Sequence, residues 1–128
     1  MYYIVDAYAW IEYFRGTPIG KRAAKIIDNP ATELLTLETT LAVIKSWALR
    51  NNVPFSELEI IIRHNSDIVH LTAEDWLRAS ELRHEARKKI PDFGFFDALI
   101  LAVQEKVKYK ILTGDKHFAK FKNVVLLK

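Results

Sequence analysis

A length of 128 residues, half of them hydrophobic and 27% charged, is enough for one domain over residues 1–128 and excludes a disordered or repetitive chain. The formal net charge of +3 is compatible with a polyanionic partner but does not identify one. Cysteine is absent, which excludes disulfides, thiolate zinc sites and a cysteine nucleophile, and the apolar runs are too short to span a bilayer. We therefore expect a cytoplasmic protein that does not bind a membrane.

The first half of the chain alternates short apolar strands with amphipathic helices. Turn residues such as Asn29-Pro30 separate these elements. We predict strands over residues 2–5 and 33–36, and helices over residues 7–14, over 19–28, from a cap at Thr39 or Thr40 to Asn51, and from about Pro54 to His64. Ser56 and Glu59 could form a capping box at the start of the last of these helices.

The second half repeats the alternation. We predict strands over residues 67–71, 110–113 and 124–127, and helices from a cap at Thr72 to Lys89, from Gly94 to about Val107, and over 116–121. Strands that alternate with helices predict an α/β fold, a three-layer sandwich with a central, mostly parallel sheet flanked by helices. Such folds bind ligands at the carboxyl ends of their strands.

Asp97 is the one acid in an otherwise apolar helical run that extends from Phe95 to Val103. A carboxylate in apolar surroundings is costly unless a cation or several hydrogen-bond donors accompany it. No Lys or Arg lies within four residues of Asp97, so a salt bridge along its own helix is excluded. Its partner must come from elsewhere in the fold or be a bound metal ion.

Two further acids come at the ends of predicted strands. Asp6 directly follows the strand over residues 2–5, and Asp115 follows the strand over residues 110–113 after a single glycine. Each has a plainer alternative role, since Asp6 could cap the next helix and Asp115 could form part of a turn. If Asp97 faces the same edge of the sheet, the three carboxylates converge.

Converging carboxylates repel one another, and without a cation at least one would take up a proton. Mg²⁺ or Mn²⁺ removes this conflict, because these ions prefer oxygen ligands and keep several waters that can serve phosphate chemistry. The histidines indicate no competing metal site. His64 and His70 straddle a predicted helix-to-strand boundary, while His84 and His117 stand alone in the sequence, so zinc is not expected.

Three stretches follow one another along the chain: YIVDAYAWI at residues 3–11, DALILA at residues 97–102 and LTGDKHF at residues 112–118. Each is common by itself. In this order and spacing, on one short chain with matching strands and helices, they resemble the PIN domain, and more narrowly the VapC-type toxin ribonucleases of toxin-antitoxin pairs. The resemblance spans the whole chain.

The resemblance implies a metal-dependent endoribonuclease that hydrolyses RNA phosphodiester bonds with Mg²⁺ or Mn²⁺. Asp6, Asp97 and Asp115 match the acidic metal-binding and catalytic positions of the family. Thr113 matches a small hydroxyl residue near the metal, although it could equally be a strand-end residue that satisfies a turn. The resemblance also implies a homodimer, an RNA substrate and a cognate antitoxin protein that covers the site.

The chain departs from the family pattern at residue 43. Similar proteins usually carry a Glu in the helix after the second strand, and Val43 occupies that position when residues 36–45 are laid on the pattern. Valine cannot bind a metal. Glu38, five residues earlier, could replace the missing ligand or could simply match the dipole at the start of its helix. Val43 is either a natural loss or an attenuating change, and in both cases it would impair the nuclease.

Other functions stay open. The same fold could be a catalytically weak or inactive module that binds RNA or an antitoxin without cleaving. A phosphoryl-transfer protein would need a second acid beside Asp6, where Val5 and Ala7 stand instead. Asp92 could serve the metal at Asp97 through a water, although an acid in a Pro-Asp loop is more often solvated.

Overall fold

The computed structural model describes residues 1–128 and contains five strands and six α-helices. In chain order they are β1 (Tyr2–Val5), α1 (Ala7–Arg15), α2 (Pro18–Ile27), β2 (Glu33–Leu37), α3 (Glu38–Arg50), α4 (Phe55–Asn65), β3 (Asp67–Val69), α5 (Ala73–Ala86), α6 (Phe95–Val107), β4 (Lys110–Thr113) and β5 (Val124–Leu126). A short 3₁₀ helix, Lys116–Phe118, lies between β4 and β5. None of the helices has the length and apolar character that crossing a bilayer requires.

The five strands form one parallel sheet in the order β3-β2-β1-β4-β5. In the register of β1, Ile4 lies beside Leu35 of β2, and Val5 lies beside Leu112 of β4. The predicted α/β fold with a central parallel sheet is therefore confirmed. The strand order reverses between β1 and β4, and the carboxyl ends of two such strands form the crevice in which open α/β sheets bind ligands.

Helices cover both faces of the sheet, because successive residues of a strand point to opposite sides. Tyr3 and Val5 of β1 belong to one hydrophobic core, which includes the fully buried Trp10 and residues from α1 to α4. Ile4 belongs to a second core, which includes Leu99 and most of α6. The three-layer arrangement follows from this division.

The starts of α3 and α4 differ from the prediction. Helix α3 begins at Glu38, directly after β2, and no side chain caps it. Because no loop separates the two elements, Thr39 and Thr40 lie inside the first turn and cannot take the extended backbone of a cap. The predicted capping box of α4 does not form, because the helix begins at Phe55 with Pro54 at its cap position and Ser56 lies inside the first turn.

Several other elements are shorter than predicted. Thr72 caps α5 in a capping box with Asp75, as an N-cap should, but the helix ends at Ala86 rather than at Lys89. Beyond Ala86 the chain turns, and Nε of Arg87 donates a hydrogen bond to the carbonyl oxygen of Phe93 at 2.9 Å. The segment over 116–121 contains only the 3₁₀ helix, and β3 and β5 end at Val69 and Leu126.

Candidate metal centre

A cavity of about 240 Å³ opens at the carboxyl edge of the sheet, where β1 and β4 end. Three acids line it, each from a different part of the chain: Asp6 after β1, Asp97 in the first turn of α6, and Asp115 after β4. The remaining lining residues are Ala7, Tyr8, Thr40, Val43, Phe96 and Ile100. The structure thus brings together the three carboxylates that the sequence suggested, while their role as metal ligands stays a prediction.

Asp6 is the most deeply buried of these acids, with 4% of the residue exposed. It caps α1, because its Oδ1 accepts a hydrogen bond from the amide of Ala9 at 2.9 Å, and its Oδ2 accepts one from the hydroxyl of Thr113. Burial raises the pKa of Asp6 to about 7, although these two hydrogen bonds lower it. The capping role and the place in the cavity therefore coexist.

Asp97 lies at the edge of the same cavity, with 23% of its side chain exposed. Burial raises its pKa to about 6, and the nearby charge of Asp115 raises it further, whereas the charge of His117 lowers it. No Lys or Arg pairs with this carboxylate, and the nearest basic atom is Nδ1 of His117, 3.8 Å from Oδ2. His117 is therefore the basic side chain that lies beside the Asp97 carboxylate.

Thr113 connects the two strand-end acids. Its hydroxyl donates to Asp6 and accepts a hydrogen bond from the amide of Asp115 at 2.9 Å. It therefore satisfies a turn and also lies beside the acids, so the two roles suggested by the sequence do not exclude each other. The turn packs closely on its neighbour, because a Cβ atom at Gly114 would lie 2.3 Å from Cε1 of Tyr8.

His117 lies beside these acids, although the sequence analysis did not single it out as a site residue. Its Nδ1 lies 3.1 Å from Oδ1 of Asp115, and its Nε2 is hydrogen-bonded to Oδ2 of Asp92 at 3.0 Å. Partial burial lowers the pKa of His117, but the hydrogen bond with Asp92 and the charges of Asp115 and Asp92 outweigh this and raise it. His117, which stands alone in the sequence, therefore lies against Asp97 and Asp115 in the fold.

Asp92 is exposed, as expected for an acid in a loop, but it is not a free surface charge. The hydrogen bond with His117 lowers its pKa, so Asp92 is ionised and can only accept at that contact. It lies outside the residues that line the cavity and acts on them through the imidazole ring.

Val43 and Glu38 both come from α3, but only Val43 lines the cavity. Glu38 contacts the segment after β3: its Oε1 accepts from the amide of Leu71 at 2.7 Å, and its Oε2 lies 3.2 Å from Nδ1 of His70. The hydrogen bond from Leu71 lowers the pKa of Glu38, as does the one from His70. The structure therefore does not bring Glu38 to the other acids, and Val43, which α3 contributes to the cavity wall, is apolar.

The donors in this cavity suit a divalent cation. Asp97, Asp115 and His117 each offer one ligand atom, and these three atoms lie within 4.8 Å of one another. The chemistry of the set fits as well, because carboxylate oxygens are the preferred ligands of Mg²⁺ and Mn²⁺. Burial raises the pKa of Asp6 and of Asp97, and a bound cation would favour the ionised form of both. Asp6 lines the same cavity but lies outside that group of three atoms.

The comparison with protein families gives one result over nearly the whole chain: the PIN domain model matches residues 3–124. Among curated protein sequences, none matches the chain.

Several solved structures share the fold. A toxin-antitoxin complex from Klebsiella pneumoniae is 20% identical, with 98% of this chain and 97% of that chain covered and a TM-score of 0.77. VapC20 from Mycobacterium tuberculosis, described as a sarcin-ricin loop cleaving toxin, is 19% identical, with 95% and 96% covered and a TM-score of 0.78. VapBC2 from Rickettsia felis, bound to a DNA fragment from its promoter, is 15% identical, with 98% and 97% covered and a TM-score of 0.70. At these identities the similarity establishes a shared fold.

Proposed function

The chain belongs to the PIN domain family, and on this premise we propose that it is a metal-dependent endoribonuclease, the toxin component of a toxin-antitoxin pair. It hydrolyses RNA phosphodiester bonds at the cavity that Asp6, Asp97 and Asp115 line, with Mg²⁺ or Mn²⁺ as cofactor. The observation that carries the proposal is the convergence of these carboxylates at the point where the strand order reverses.

The acids that line the cavity have different roles in this proposal. Asp97 and Asp115, which are partly exposed, would hold the ion and face the phosphate. Asp6 is held in one orientation by the amide of Ala9 and the hydroxyl of Thr113, so its carboxylate stays directed at the cavity without a rearrangement. When bound, a divalent ion supplies charge that activates a water and offsets the negative charge of the phosphate.

Cleavage of an RNA panel tests this function. Purified protein is incubated with transfer RNA, ribosomal RNA and single-stranded oligonucleotides in Mg²⁺, in Mn²⁺ and in chelator. We expect cleavage that requires the metal. Glu38→Gln is the matched control, because this acid lies on the same helix as Val43 but outside the cavity, and cleavage should survive the change. Cleavage that persists in chelator would contradict the proposal.

A second candidate function is a catalytically weak or inactive PIN module that holds RNA or an antitoxin. The observation in its favour is Val43, an apolar side chain in the wall of the acidic cavity. Metal binding without turnover over the whole RNA panel would support this alternative and not the nuclease.

Val43→Glu should distinguish an impaired nuclease from one that is complete. A carboxylate in the wall of the cavity adds a ligand to the set, so we expect the affinity for Mg²⁺ or Mn²⁺ to rise by about tenfold or more and RNA cleavage to rise with it. Isothermal titration with each metal measures the affinity. Val43→Gln, of the same size as Glu but uncharged, should show little gain. Unchanged affinity and activity in a folded Val43→Glu variant would mean that the ligand set is complete without an acid here.

The proposed partners are a second copy of the chain and an antitoxin protein. Most apolar residues of α2 and α4 pack into the core, including Ala23, Ile27, Leu58 and Ile62, so those helices leave little apolar surface for a partner. Ile60 and Leu49 remain 69% exposed and could contact a partner. Sedimentation of the purified protein over a dilution series should show a dimer, and a monomer at every concentration would contradict that part of the proposal. A toxin with an RNA substrate would act in the cytoplasm.

A further inference from the structure

We propose that His117 is a nitrogen ligand of the same ion, held in position by Asp92, and that it gives the site a preference for transition-metal ions such as Mn²⁺ over Mg²⁺. The inference rests on the proposed function, because it concerns the ion of that cavity. It adds a ligand and a metal selectivity that the three carboxylates alone do not imply.

The position of Nδ1 is the first argument. This atom is buried and has no hydrogen-bond partner, although it lies 3.1 Å from Oδ1 of Asp115 and 3.8 Å from Oδ2 of Asp97. Neighbouring donors on an octahedral ion with bonds of about 2.1 Å are about 3 Å apart, so these spacings suit ligands of a single ion. An unpartnered nitrogen directed at two carboxylates is the arrangement that a shared cation would satisfy.

The other ring nitrogen is the second argument. Nε2 lies 3.0 Å from Oδ2 of Asp92, and a carboxylate oxygen in such a contact accepts, so we assign the hydrogen to Nε2. With that hydrogen assigned, Nδ1 is free to present its lone pair to a metal. Histidine ligands of metals commonly donate their other N–H to a carboxylate in this way, which orients the ring and strengthens the ligand.

The third argument is the composition of the cavity wall. Val43 supplies no oxygen, so a nitrogen from His117 would be a larger share of the ligand set than in a site with four acids. Imidazole binds transition-metal ions more readily than it binds Mg²⁺, which strongly prefers oxygen. His117 would therefore favour Mn²⁺ over Mg²⁺.

Metal binding by the full-length protein without RNA tests the inference. Isothermal titration gives the affinities for Mn²⁺ and Mg²⁺, and pulsed electron paramagnetic resonance of the Mn²⁺ complex detects a directly bonded nitrogen. We expect a nitrogen coupling in the unaltered protein that disappears in His117→Gln. Its Mn²⁺ affinity should fall by about 10- to 100-fold, whereas its Mg²⁺ affinity should change much less.

Two variants accompany this experiment. Asp92→Asn should keep the nitrogen coupling but weaken Mn²⁺ binding by a smaller factor, because it alters only the partner of the ring. His70→Gln is the matched control, since this exposed histidine contacts Glu38 outside the cavity, and it should leave both affinities unchanged.

The outcomes separate this inference from the proposed function. Mn²⁺ that binds and supports cleavage without any nitrogen coupling would overturn the role of His117 and leave the nuclease intact. An equal loss of Mn²⁺ and Mg²⁺ affinity in His117→Gln would also overturn it, because a structural defect would explain both losses. If neither metal binds, both the inference and the metal-dependent function fail.

Discussion

Asp97→Asn is expected to lower the rate of metal-dependent RNA cleavage by about a thousandfold, which is the scale on which the loss of one charge-stabilising group affects catalysis. The change preserves the size of the side chain and removes the charge from one of the two acids that face the open part of the cavity. An amide oxygen is a weaker ligand than a carboxylate, so the cavity would hold a cation poorly. Initial rates with one RNA substrate at increasing Mn²⁺ measure the effect.

The titration with Mn²⁺ separates binding from chemistry. If Asp97→Asn only weakens binding, saturating Mn²⁺ restores the rate, whereas a loss that persists at saturation shows that the charge is also needed in the reaction. Asp67→Asn, which changes an exposed acid at the start of β3, serves as the control and should cleave normally. A folded Asp97→Asn protein with the full rate at low Mn²⁺ would remove Asp97 from the active site.

Asp6→Asn is expected to have opposite effects on stability and on metal binding. Burial raises the pKa of Asp6 from 3.8 to about 7 in the folded protein, so the folded state binds more protons than the unfolded state between these values. The contribution of Asp6 to the free energy of unfolding of the metal-free protein is therefore largest below pH 4 and falls as pH rises towards 7, by an amount on the order of 4 kcal/mol.

An asparagine cannot ionise, so Asp6→Asn removes this loss. We expect the metal-free variant to be more stable than the unaltered protein at pH 8 by a few kcal/mol. A weakened hydrogen bond to Ala9 or Thr113 should reduce this gain by about 1 kcal/mol. At pH 4 the two proteins should differ little. Urea unfolding in chelator at both pH values measures the difference, and a variant that is less stable than the unaltered protein at pH 8 would contradict the expectation.

The same variant should lose its response to metal. A ligand that binds only the folded state stabilises it in proportion to the logarithm of its concentration over its dissociation constant. Mn²⁺ at pH 8 should therefore raise the unfolding midpoint of the unaltered protein and leave that of Asp6→Asn nearly unchanged. If both midpoints rise equally, the ion binds without Asp6, and the proposed ligand set would lack that residue.

Local sequence determined most of the architecture and identified the acids of the site. The alternation of apolar strands with amphipathic helices depends on neighbouring residues only, so the parallel α/β sheet and most element positions could be predicted from it. Asp6 and Asp115 could be placed at one edge because each follows a strand, and Asp97 because a charge in an apolar helix needs a partner. The sequence also shows that Val43 occupies the position at which similar proteins carry a Glu, and this residue lies in the cavity wall.

Tertiary structure decided the features that join distant segments. Residues 92 and 117 are far apart in the chain, and only the packing of the loop after α5 against the 3₁₀ helix brings Asp92 to Nε2 of His117 and Nδ1 to the acids. Glu38 accepts a hydrogen bond from the amide of Leu71 outside the cavity, a contact that depends on how the start of α3 packs against the segment after β3. Periodicity and capping reflect interactions within one or two turns, whereas a ligand set depends on the distances between side chains from several elements, which only the packed fold specifies.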